Sequence, residues 1–439
     1  MDRLADLGEW MRVAVIGGGW AGLAAAVELV SAGVGVTVFE AARQLGGRAR
    51  SVSAHGRRLD NGQHILVGAY RETLRLMQVV GNHPDRLLER MPLEIAFPGR
   101  QPAPFRLRLP RLPAPWHLAV GLLGTRGASL AEKLRAVRFM RFLQATNYRL
   151  GDDCTVAALL DRHAQHGNLR GCLWEPLCLA ALNTAPEQAS AQIFVNTLRD
   201  SLGSDRAATD LLLPAADLDQ LFPAAAASFI AAHGGEIRLS TRVASINASF
   251  VVGGERFAAV VLATGPQQAA PLLAGNEQSG PVARLLADYR WEPIGTVYCG
   301  YPPEVRLPLP MLGLAAQGDG RFGQWAFDRG GLCGTAGVIA FVLSGSGAWE
   351  HADNPTLVAA LHDELAAALG TRLPPVLWQQ VIRERRATFS CRPGLPRPAA
   401  RTALAGLWLA GDYVCADYPA TLEAAVRSGV AAARGILLT

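Results

Sequence analysis

The N-terminal part of the chain alternates between short apolar runs and turns, a pattern that predicts a strand, a helix and a second strand. Arg12–Ile16 is a β-branched apolar run of the kind that forms buried parallel strands. Leu23–Ala32 consists of good helix formers and is followed by Gly33, a frequent residue at helix ends. Gly35–Phe39 is the second strand. This order predicts a strand–helix–strand unit of an α/β fold with a parallel sheet.

Later segments continue the α/β pattern. The predicted elements are two short strands, or a strand and a turn, in Arg238–Ile246, a β-hairpin in Ser249–Ala258, a buried strand in Ala259–Thr264, a strand in Gly406–Asp412 and a helix in Thr421–Val430.

Two long stretches separate these segments. Ala96–Leu213 is mostly helical by its hydrophobic pattern, and Leu130–Arg149 within it has one apolar face. Gly275–Ala399 contains Trp291–Tyr301, which predicts a strand. We therefore expect an α/β domain that is interrupted by a second, partly helical domain.

Composition narrows the class of protein. The net charge is +5 and no basic stripe occurs, so nucleic-acid binding is not predicted. The seven cysteines are scattered and form no disulfide framework, which favours a reducing, cytoplasmic location. His163 and His166 lie near Cys172 and Cys178 but match no zinc pattern, so no metal is predicted.

The N-terminus and the apolar stretches predict no membrane-inserted segment. Met1–Met11 is acidic and lacks an apolar core, so no signal peptide is expected, and either Met1 or Met11 is the native start. Each uncharged stretch is too short or too interrupted by glycine, serine or proline to span a bilayer. We expect a soluble or peripheral protein.

A glycine-rich turn between the first strand and the first helix predicts a dinucleotide site. Gly17 permits the tight turn, Gly19 lets the backbone approach a pyrophosphate, and Gly22 lets the helix pack close to the strand. The helix N-terminus offers free N–H groups and a positive dipole end to the phosphates. Glu40 closes the second strand, where a carboxylate can accept hydrogen bonds from ribose hydroxyls.

The next motif distinguishes between dinucleotides. Leu45-Gly46-Gly47-Arg48 resembles the GGR segment of the amine oxidase and phytoene desaturase superfamily of flavoproteins. The resemblance implies FAD as the cofactor, with Arg48 near its pyrophosphate. It also implies a Rossmann-like FAD-binding domain of the glutathione-reductase type.

The expected domains follow from this resemblance. The discontinuous FAD-binding domain comprises residues 11–95, 214–274 and 400–439, and the substrate-binding, membrane-facing domain comprises residues 96–213 and 275–399.

The superfamily resemblance implies further cofactor contacts. Gly62, Gln63 and His64 match a turn at the flavin, and Val243 matches a valine whose backbone contacts adenine. Asp412 is expected to accept a hydrogen bond from the ribityl chain. The candidate cofactor-binding residues are Gly17, Gly19, Trp20, Ala21, Gly22, Glu40, Arg43, Gly47, Arg48, Gly62, Gln63, His64, Val243, Gly411, Asp412, Thr421 and Leu422.

Three other segments point to one branch of the superfamily. Asn61–Tyr70, Trp174–Thr184 and Ala410–Glu423 resemble the hydroxysqualene dehydroxylases, also called squalene-associated FAD-dependent desaturases, of bacterial hopanoid synthesis. The resemblance implies a long isoprenoid substrate and the reductive loss of its allylic hydroxyl, with hydride from reduced FAD. The candidate catalytic residues are His64, Tyr70, Tyr413 and Tyr418. For His64 the alternative is that it only hydrogen-bonds the cofactor or the backbone.

Three other functions remain open on the same fold. A carotenoid or squalene-type desaturase would use the same cofactor site with hydride moving in the opposite direction, which sequence does not determine. An amine oxidase usually has a lysine facing the flavin, whereas the single lysine here, Lys133, lies in a basic helix. A non-catalytic isoprenoid carrier would have lost the cofactor residues, which are present here.

The region around residues 106–145 has two interpretations. Trp116 and neighbouring apolar residues flanked by arginines suit a peripheral contact with the inner face of the cytoplasmic membrane. The alternative is a core segment beside a solvated basic face. The oligomeric state is not predicted.

Overall fold

The computed structural model describes residues 12–101, 103–314 and 321–439. The expectations about Met1–Met11, namely the start site and the lack of a signal peptide, lie outside these residues.

Nineteen strands are present in the described residues. They are β1 (Arg12–Ile16), β2 (Gly35–Phe39), β3 (Ser51–Ala54), β4 (Arg57–Asp60), β5 (Leu66–Val67), β6 (Leu88–Met91), β7 (Glu94–Phe97), β8 (Phe105–Arg108), β9 (Leu211–Pro214), β10 (Glu236–Arg238), β11 (Val251–Val252), β12 (Glu255–Arg256), β13 (Ala259–Leu262), β14 (Trp291–Gly300), β15 (Met311–Gly313), β16 (Trp325–Asp328), β17 (Val338–Ser344), β18 (Trp378–Phe389) and β19 (Leu407–Leu409).

Fifteen α-helices are present in the same residues, five of them in succession between β8 and β9. They are α1 (Trp20–Ser31), α2 (Arg71–Val79), α3 (Pro84–Leu87), α4 (Trp116–Leu123), α5 (Leu130–Ala145), α6 (Val156–Arg162), α7 (Glu175–Leu182), α8 (Ala191–Ser201), α9 (Leu218–Leu221), α10 (Pro223–Ala232), α11 (Pro266–Ala274), α12 (Gly280–Ala287), α13 (Arg329–Cys333), α14 (Asn354–Leu369) and α15 (Leu422–Leu437).

A five-stranded parallel sheet with the order β10-β2-β1-β13-β19 forms the first half of the molecule. Both faces of its central strand are buried. Val13 and Val15 belong to one hydrophobic cluster with helices α1 and α15, whereas Ala14 and Ile16 belong to the cluster on the opposite face. This arrangement explains why β1 is apolar at consecutive positions. The predicted α/β fold is confirmed.

A five-stranded antiparallel sheet, β15-β16-β17-β14-β18, forms the core of the second half. Helices α4 to α8 precede it in the chain. A smaller antiparallel sheet, β5-β9-β6, joins residues 66–91 to residues 211–214, so it crosses the proposed domain boundaries. The domain division therefore stays a prediction.

Several elements differ in extent from the sequence prediction. Helix α1 begins at Trp20 rather than Leu23, because the turn glycine Gly19 is itself the N-cap. Strand pairing within Arg238–Ile246 ends at Arg238, and the rest of that segment is irregular. The largely helical stretch from Ala96 also contains strands β8 and β9. The last two differences arise where pairing partners, and not local propensity, decide the backbone conformation.

The backbones of helices α1 and α15 lie close together at Gly429, with no side chain between them. A Cβ atom on Gly429 would lie 2.1 Å from the carbonyl oxygen of Ala21. Gly429 therefore allows the contact because it has no side chain.

We predict that Gly429→Ala lowers the free energy of unfolding by about 1–3 kcal/mol or more, because the added methyl forces the two helices apart. Urea unfolding of the purified protein measures this loss. Gly280→Ala is the matched control, since its Cβ would meet no atom closer than 3.8 Å. Equal stability of the two variants would contradict the close contact.

Candidate active site

A cavity of about 1180 Å³ lies between the two halves of the molecule. Its wall includes residues from the glycine-rich turn, from the C-terminal helix and from the antiparallel sheet. Pockets for a single small ligand typically measure about 300–1,000 Å³. The cavity therefore has room for a large cofactor together with part of another ligand.

The three glycines of the N-terminal turn have different tasks. Gly17 has a φ of 111°, and a Cβ on it would lie 2.7 Å from the carbonyl oxygen of Ala263. A Cβ on Gly22 would lie 1.9 Å from the carbonyl oxygen of Gly17. The fold itself requires both of these glycines. At Gly19, by contrast, the nearest atom to a Cβ is the Gly47 Cα at 3.9 Å.

Helix α1 therefore begins at the wall of the cavity. Gly19, Trp20 and Ala21 line the cavity, and the first turn of the helix contains no acidic side chain. The first backbone N–H groups of a helix have no partner within it, and its N-terminus carries a partial positive charge. This end of the cavity can bind an anion such as a pyrophosphate.

Glu40 holds the turn and also faces the cavity. One of its carboxylate oxygens accepts a hydrogen bond from the backbone N–H of Gly18 at 2.7 Å, and the other accepts from Ala42 at 2.7 Å. Each oxygen can accept a further hydrogen bond. The arrangement leaves capacity for the ribose hydroxyls that the sequence predicts.

Arg48 and Asp412 form an ion pair at the cavity wall. Arg48 Nη2 donates to Asp412 Oδ2 at 2.7 Å, and its Nη1 donates to the carbonyl oxygen of Ala387 at 2.6 Å. Asp412 Oδ1 is buried and has no hydrogen-bond partner among the described residues. A buried carboxylate oxygen without a partner is costly, so this atom is suited to accept a hydrogen bond from a bound ligand.

The turn at His64 contributes polar groups to the same cavity. His64 Nδ1 lies 2.7 Å from the carbonyl oxygen of Gly62, and Gln63 Nε2 donates to the carbonyl oxygen of His64 at 3.1 Å. Burial lowers the pKa of His64, which favours the neutral ring. A neutral His64 would accept rather than donate a hydrogen bond at Nε2.

Three predicted tyrosines also line the cavity. Burial raises the pKa of Tyr70, Tyr413 and Tyr418, so each hydroxyl keeps its proton at neutral pH. The hydroxyl of Tyr413 is buried and has no partner among the described residues. The Tyr413 hydroxyl can therefore donate to a ligand without giving up a partner among these residues.

The cavity brings together most of the predicted site residues. Gly22 packs inside the turn, and Arg43 is exposed, so neither belongs to the cavity wall. The binding role of Arg43 stays a prediction. The predicted residues that line the cavity are Gly17, Gly19, Trp20, Ala21, Glu40, Gly47, Arg48, Gly62, Gln63, His64, Tyr70, Val243, Gly411, Asp412, Tyr413, Tyr418, Thr421 and Leu422.

Sequence reasoning missed other polar residues of the wall. Arg50 follows the GGR motif directly, and Asn61 precedes Gly62, so proximity to a motif was an available signal for these two. Asn183 lies in the Trp174–Thr184 segment, and Thr241 and Arg242 directly precede Val243, so the same signal was available for these three. The other polar wall residues that were missed are Thr197, Ser201, Thr209, Thr264, Gln267, Gln268, Ser344, Glu384, Arg386 and Thr388.

The cavity is also lined by many large apolar side chains. They come from several helices and strands, and we call them together the apolar wall. It comprises Leu93, Ile95, Leu177, Phe194, Leu198, Leu202, Met311, Trp325, Phe327 and Val342. The cavity thus combines polar groups with side chains suited to hydrocarbon.

A parallel sheet whose first strand leads through a glycine-rich turn to a helix N-terminus at the cavity wall is the arrangement of dinucleotide-binding enzymes. Family comparison identifies this protein as an FAD-dependent oxidoreductase. The model of the family described as "Flavin containing amine oxidoreductase" matches residues 20–437. The chain belongs to this family, and FAD is its cofactor.

Individual relatives refine the comparison. The chain is 29% identical to the "Hydroxysqualene dehydroxylase" of Rhodopseudomonas palustris, over 97% of this chain and 98% of that protein. It is 23% identical to the "Probable zeta-carotene desaturase" of Synechococcus elongatus, over 97% and 98% of the two chains. A solved oxidoreductase from Methanosarcina mazei shares the fold with a TM-score of 0.72 at 14% identity, covering 98% of this chain and 100% of its own.

We predict that Gly19→Ala weakens FAD binding at least tenfold while changing the unfolding free energy of the flavin-free protein by less than about 1 kcal/mol. The methyl meets no protein atom within 3.9 Å but occupies space beside the helix N-terminus. FAD titration and urea unfolding of flavin-stripped protein measure the two effects. Gly17→Ala, in contrast, should destabilise even the flavin-free protein, because φ is 111° there. Wild-type FAD affinity in Gly19→Ala would refute the assignment.

Proposed function

We propose that this FAD-dependent oxidoreductase reduces hydroxysqualene to squalene by removing the allylic hydroxyl group. The observation that carries the proposal is the pairing of the apolar wall with a few polar groups in one cavity. Similarity to the Rhodopseudomonas palustris hydroxysqualene dehydroxylase over nearly the full length supports it. A long isoprenoid chain with one hydroxyl matches such a cavity, because most of its surface is hydrocarbon.

The reaction requires the transfer of a hydride and of a proton to the substrate. Replacing a hydroxyl by hydrogen needs one hydride at the carbon and one proton on the departing oxygen, which leaves as water. Reduced FAD, when bound, supplies the hydride. The side chains of the cavity must hold the alcohol, exclude water from the carbon centre and provide the proton.

Tyr413 is the side chain that we assign to the substrate oxygen. Its hydroxyl is buried without a partner in the described part of the chain, and its raised pKa keeps it protonated, so it can donate to the alcohol oxygen. His64, when neutral, accepts the hydrogen of the same alcohol at Nε2. Tyr70 and Tyr418 extend the polar edge beside helix α15.

We predict that anaerobic incubation of the holoenzyme with hydroxysqualene and reduced FAD yields squalene. Tyr413→Phe should retain flavin but lower kcat by about 10²-fold, the lower range for losing a proton-donating group. Tyr289→Phe is the control, because the Tyr289 hydroxyl already donates to the carbonyl oxygen of Pro396. Product analysis by gas chromatography measures turnover, and absence of squalene would reject the proposal.

A carotenoid or squalene-type desaturase is the second candidate. The similarity to the Synechococcus elongatus relative favours it, and the apolar wall suits a polyene equally well. Oxidation of such a substrate by the oxidised enzyme, without turnover of hydroxysqualene, would support this candidate. An amine oxidase is less well supported, because Lys133, the single lysine of the chain, does not line the cavity.

We also propose that the protein contacts an anionic membrane surface through helices α4 and α5. Six of the twelve exposed large apolar side chains in the described residues lie between Leu112 and Leu134. In α4, Trp116, Val120 and Leu123 recur at the spacing of one helix face and are exposed, as are Leu130 and Leu134 of α5. No helix among the described residues has both the length and the apolarity needed to cross a bilayer.

The positive charge around these exposed apolar side chains favours an anionic partner. Residues 106–141 contain eight Lys or Arg and one Asp or Glu. Basic side chains near an anionic bilayer contribute roughly 1 kcal/mol each, and exposed Trp and Leu can enter the interface between them. An isoprenoid substrate dissolved in that bilayer would then be close to the enzyme.

We predict that the wild-type protein sediments with vesicles of phosphatidylglycerol and phosphatidylcholine, and that high salt weakens this binding. Trp116→Ser should lower the affinity at least roughly tenfold, because burying a large apolar side chain contributes about 1.5–3 kcal/mol. Leu377→Ser is the control, because Leu377 is as exposed as Trp116, 65% in each case, but lies outside helices α4 and α5. Equal binding of both variants would contradict the contact.

A further inference from the structure

A buried ion pair lies behind the turn at His64. Arg329 Nη2 is 3.1 Å from Asp60 Oδ2, and the two side chains are 2% and 1% exposed. Neither residue lines the cavity. Removing both charges from water is costly, so a protein that keeps such a pair gains little stability from it. Stability alone therefore does not explain why this ion pair is present.

Asp60 is held by contacts from different parts of the chain. Its Oδ1 accepts a hydrogen bond from the backbone N–H of Leu218 at 2.9 Å, and its carbonyl oxygen accepts one from the hydroxyl of Tyr298 at 2.9 Å. Burial raises the pKa of Asp60, and the positive charge of Arg329 opposes that rise. Because an arginine side chain stays protonated, Asp60 supplies the charge that balances it.

Arg329 reaches the cavity wall through Gln63. Its Nη1 donates to Gln63 Oε1 at 3.2 Å. A guanidinium group has donors only, so this contact fixes which end of the Gln63 amide is oxygen. The amide nitrogen must then face the carbonyl oxygen of His64, to which it donates at 3.1 Å.

The orientation of this turn determines the tautomer of His64. A carbonyl oxygen can only accept, so the 2.7 Å contact between Gly62 and His64 requires the proton on Nδ1. In the neutral ring Nε2 then carries a lone pair, and His64 is one of the residues that line the cavity. A flipped Gln63 amide would place its oxygen against the His64 carbonyl oxygen and disturb the turn.

We propose that Arg329 is a positioning residue that acts through Gln63 to fix the turn at residues 62–64, with Asp60 as its counter-charge. The pair thereby keeps the neutral His64 ring in the tautomer with the proton on Nδ1. This inference rests on the contacts of His64 and does not depend on which substrate the enzyme takes.

Nitrogen-15 NMR of histidine-labelled holoenzyme tests the proposal directly, since the ring nitrogens report protonation and tautomer. His64→Gln identifies the signals of His64. In the wild type we expect a neutral ring protonated at Nδ1. Arg329→Lys, which keeps the charge but loses the forked donor, should shift His64 towards a mixture of tautomers.

Two further variants show whether Arg329 acts through Gln63. Gln63→Leu should produce the same change, and combining it with Arg329→Lys should add no further change. Arg306→Lys is the matched control, because Arg306 contacts Asp328, beside Arg329, but is 47% exposed. It should leave the His64 signals unchanged.

Unchanged His64 signals in folded Arg329→Lys would overturn the proposal, as would additive changes in the double variant. If Arg329→Lys does not fold, Asp60→Asn combined with Arg329→Met removes both charges and takes its place. That variant should also lose the Nδ1 preference, and retention of the wild-type tautomer would refute the role of the pair. Failure of hydroxysqualene turnover alone would leave these expectations unaffected.

Discussion

The part of the structure that binds the cofactor depends on close contacts between backbone segments, at positions where no side chain would fit between them. Helix α1 begins directly after β1 because Gly22 leaves space for the carbonyl oxygen of Gly17. Helix α15 packs against it because Gly429 leaves space for the carbonyl oxygen of Ala21. These contacts bring the N-terminal ends of both helices to the same cavity. Two positive dipole ends are thus available to one extended anionic ligand.

The cavity places two chemical environments side by side. Among the polar groups, Arg48 and Asp412 neutralise each other, while one oxygen of Asp412 has no partner in the described residues. Asp60 and Arg329 also form a pair, but they lie behind the wall and contact the site through Gln63. The apolar wall offers no groups that would compete for a proton. This separation suits chemistry at one polar atom of a largely hydrocarbon substrate.

Predictions from the sequence were accurate for strands that are buried on both faces. They were less accurate for segments whose conformation depends on whether a neighbouring strand pairs with them. The bounds of β1 and β2 were predicted correctly, because strands buried on both faces are apolar at consecutive positions. The irregular segment after Arg238 was expected to contain more strand, yet its β-branched residues have no neighbouring strand. Missed polar residues of the cavity wall, such as Glu384 and Arg386, lie in segments whose local pattern carries no motif.

The sequence by itself was enough to identify the glycine-rich turn, Glu40 after the second strand and the GGR segment as parts of a dinucleotide site. Their tasks are local, so the backbone geometry within a few residues demands particular side chains at particular spacings. Only the tertiary structure decided that Arg329 would contact Gln63, 266 positions away, and that the Tyr413 hydroxyl would be buried with no partner among the residues that the structure describes. Such contacts depend on how sheets and helices pack, and a hydrophobic pattern specifies that a residue is buried without specifying what it meets.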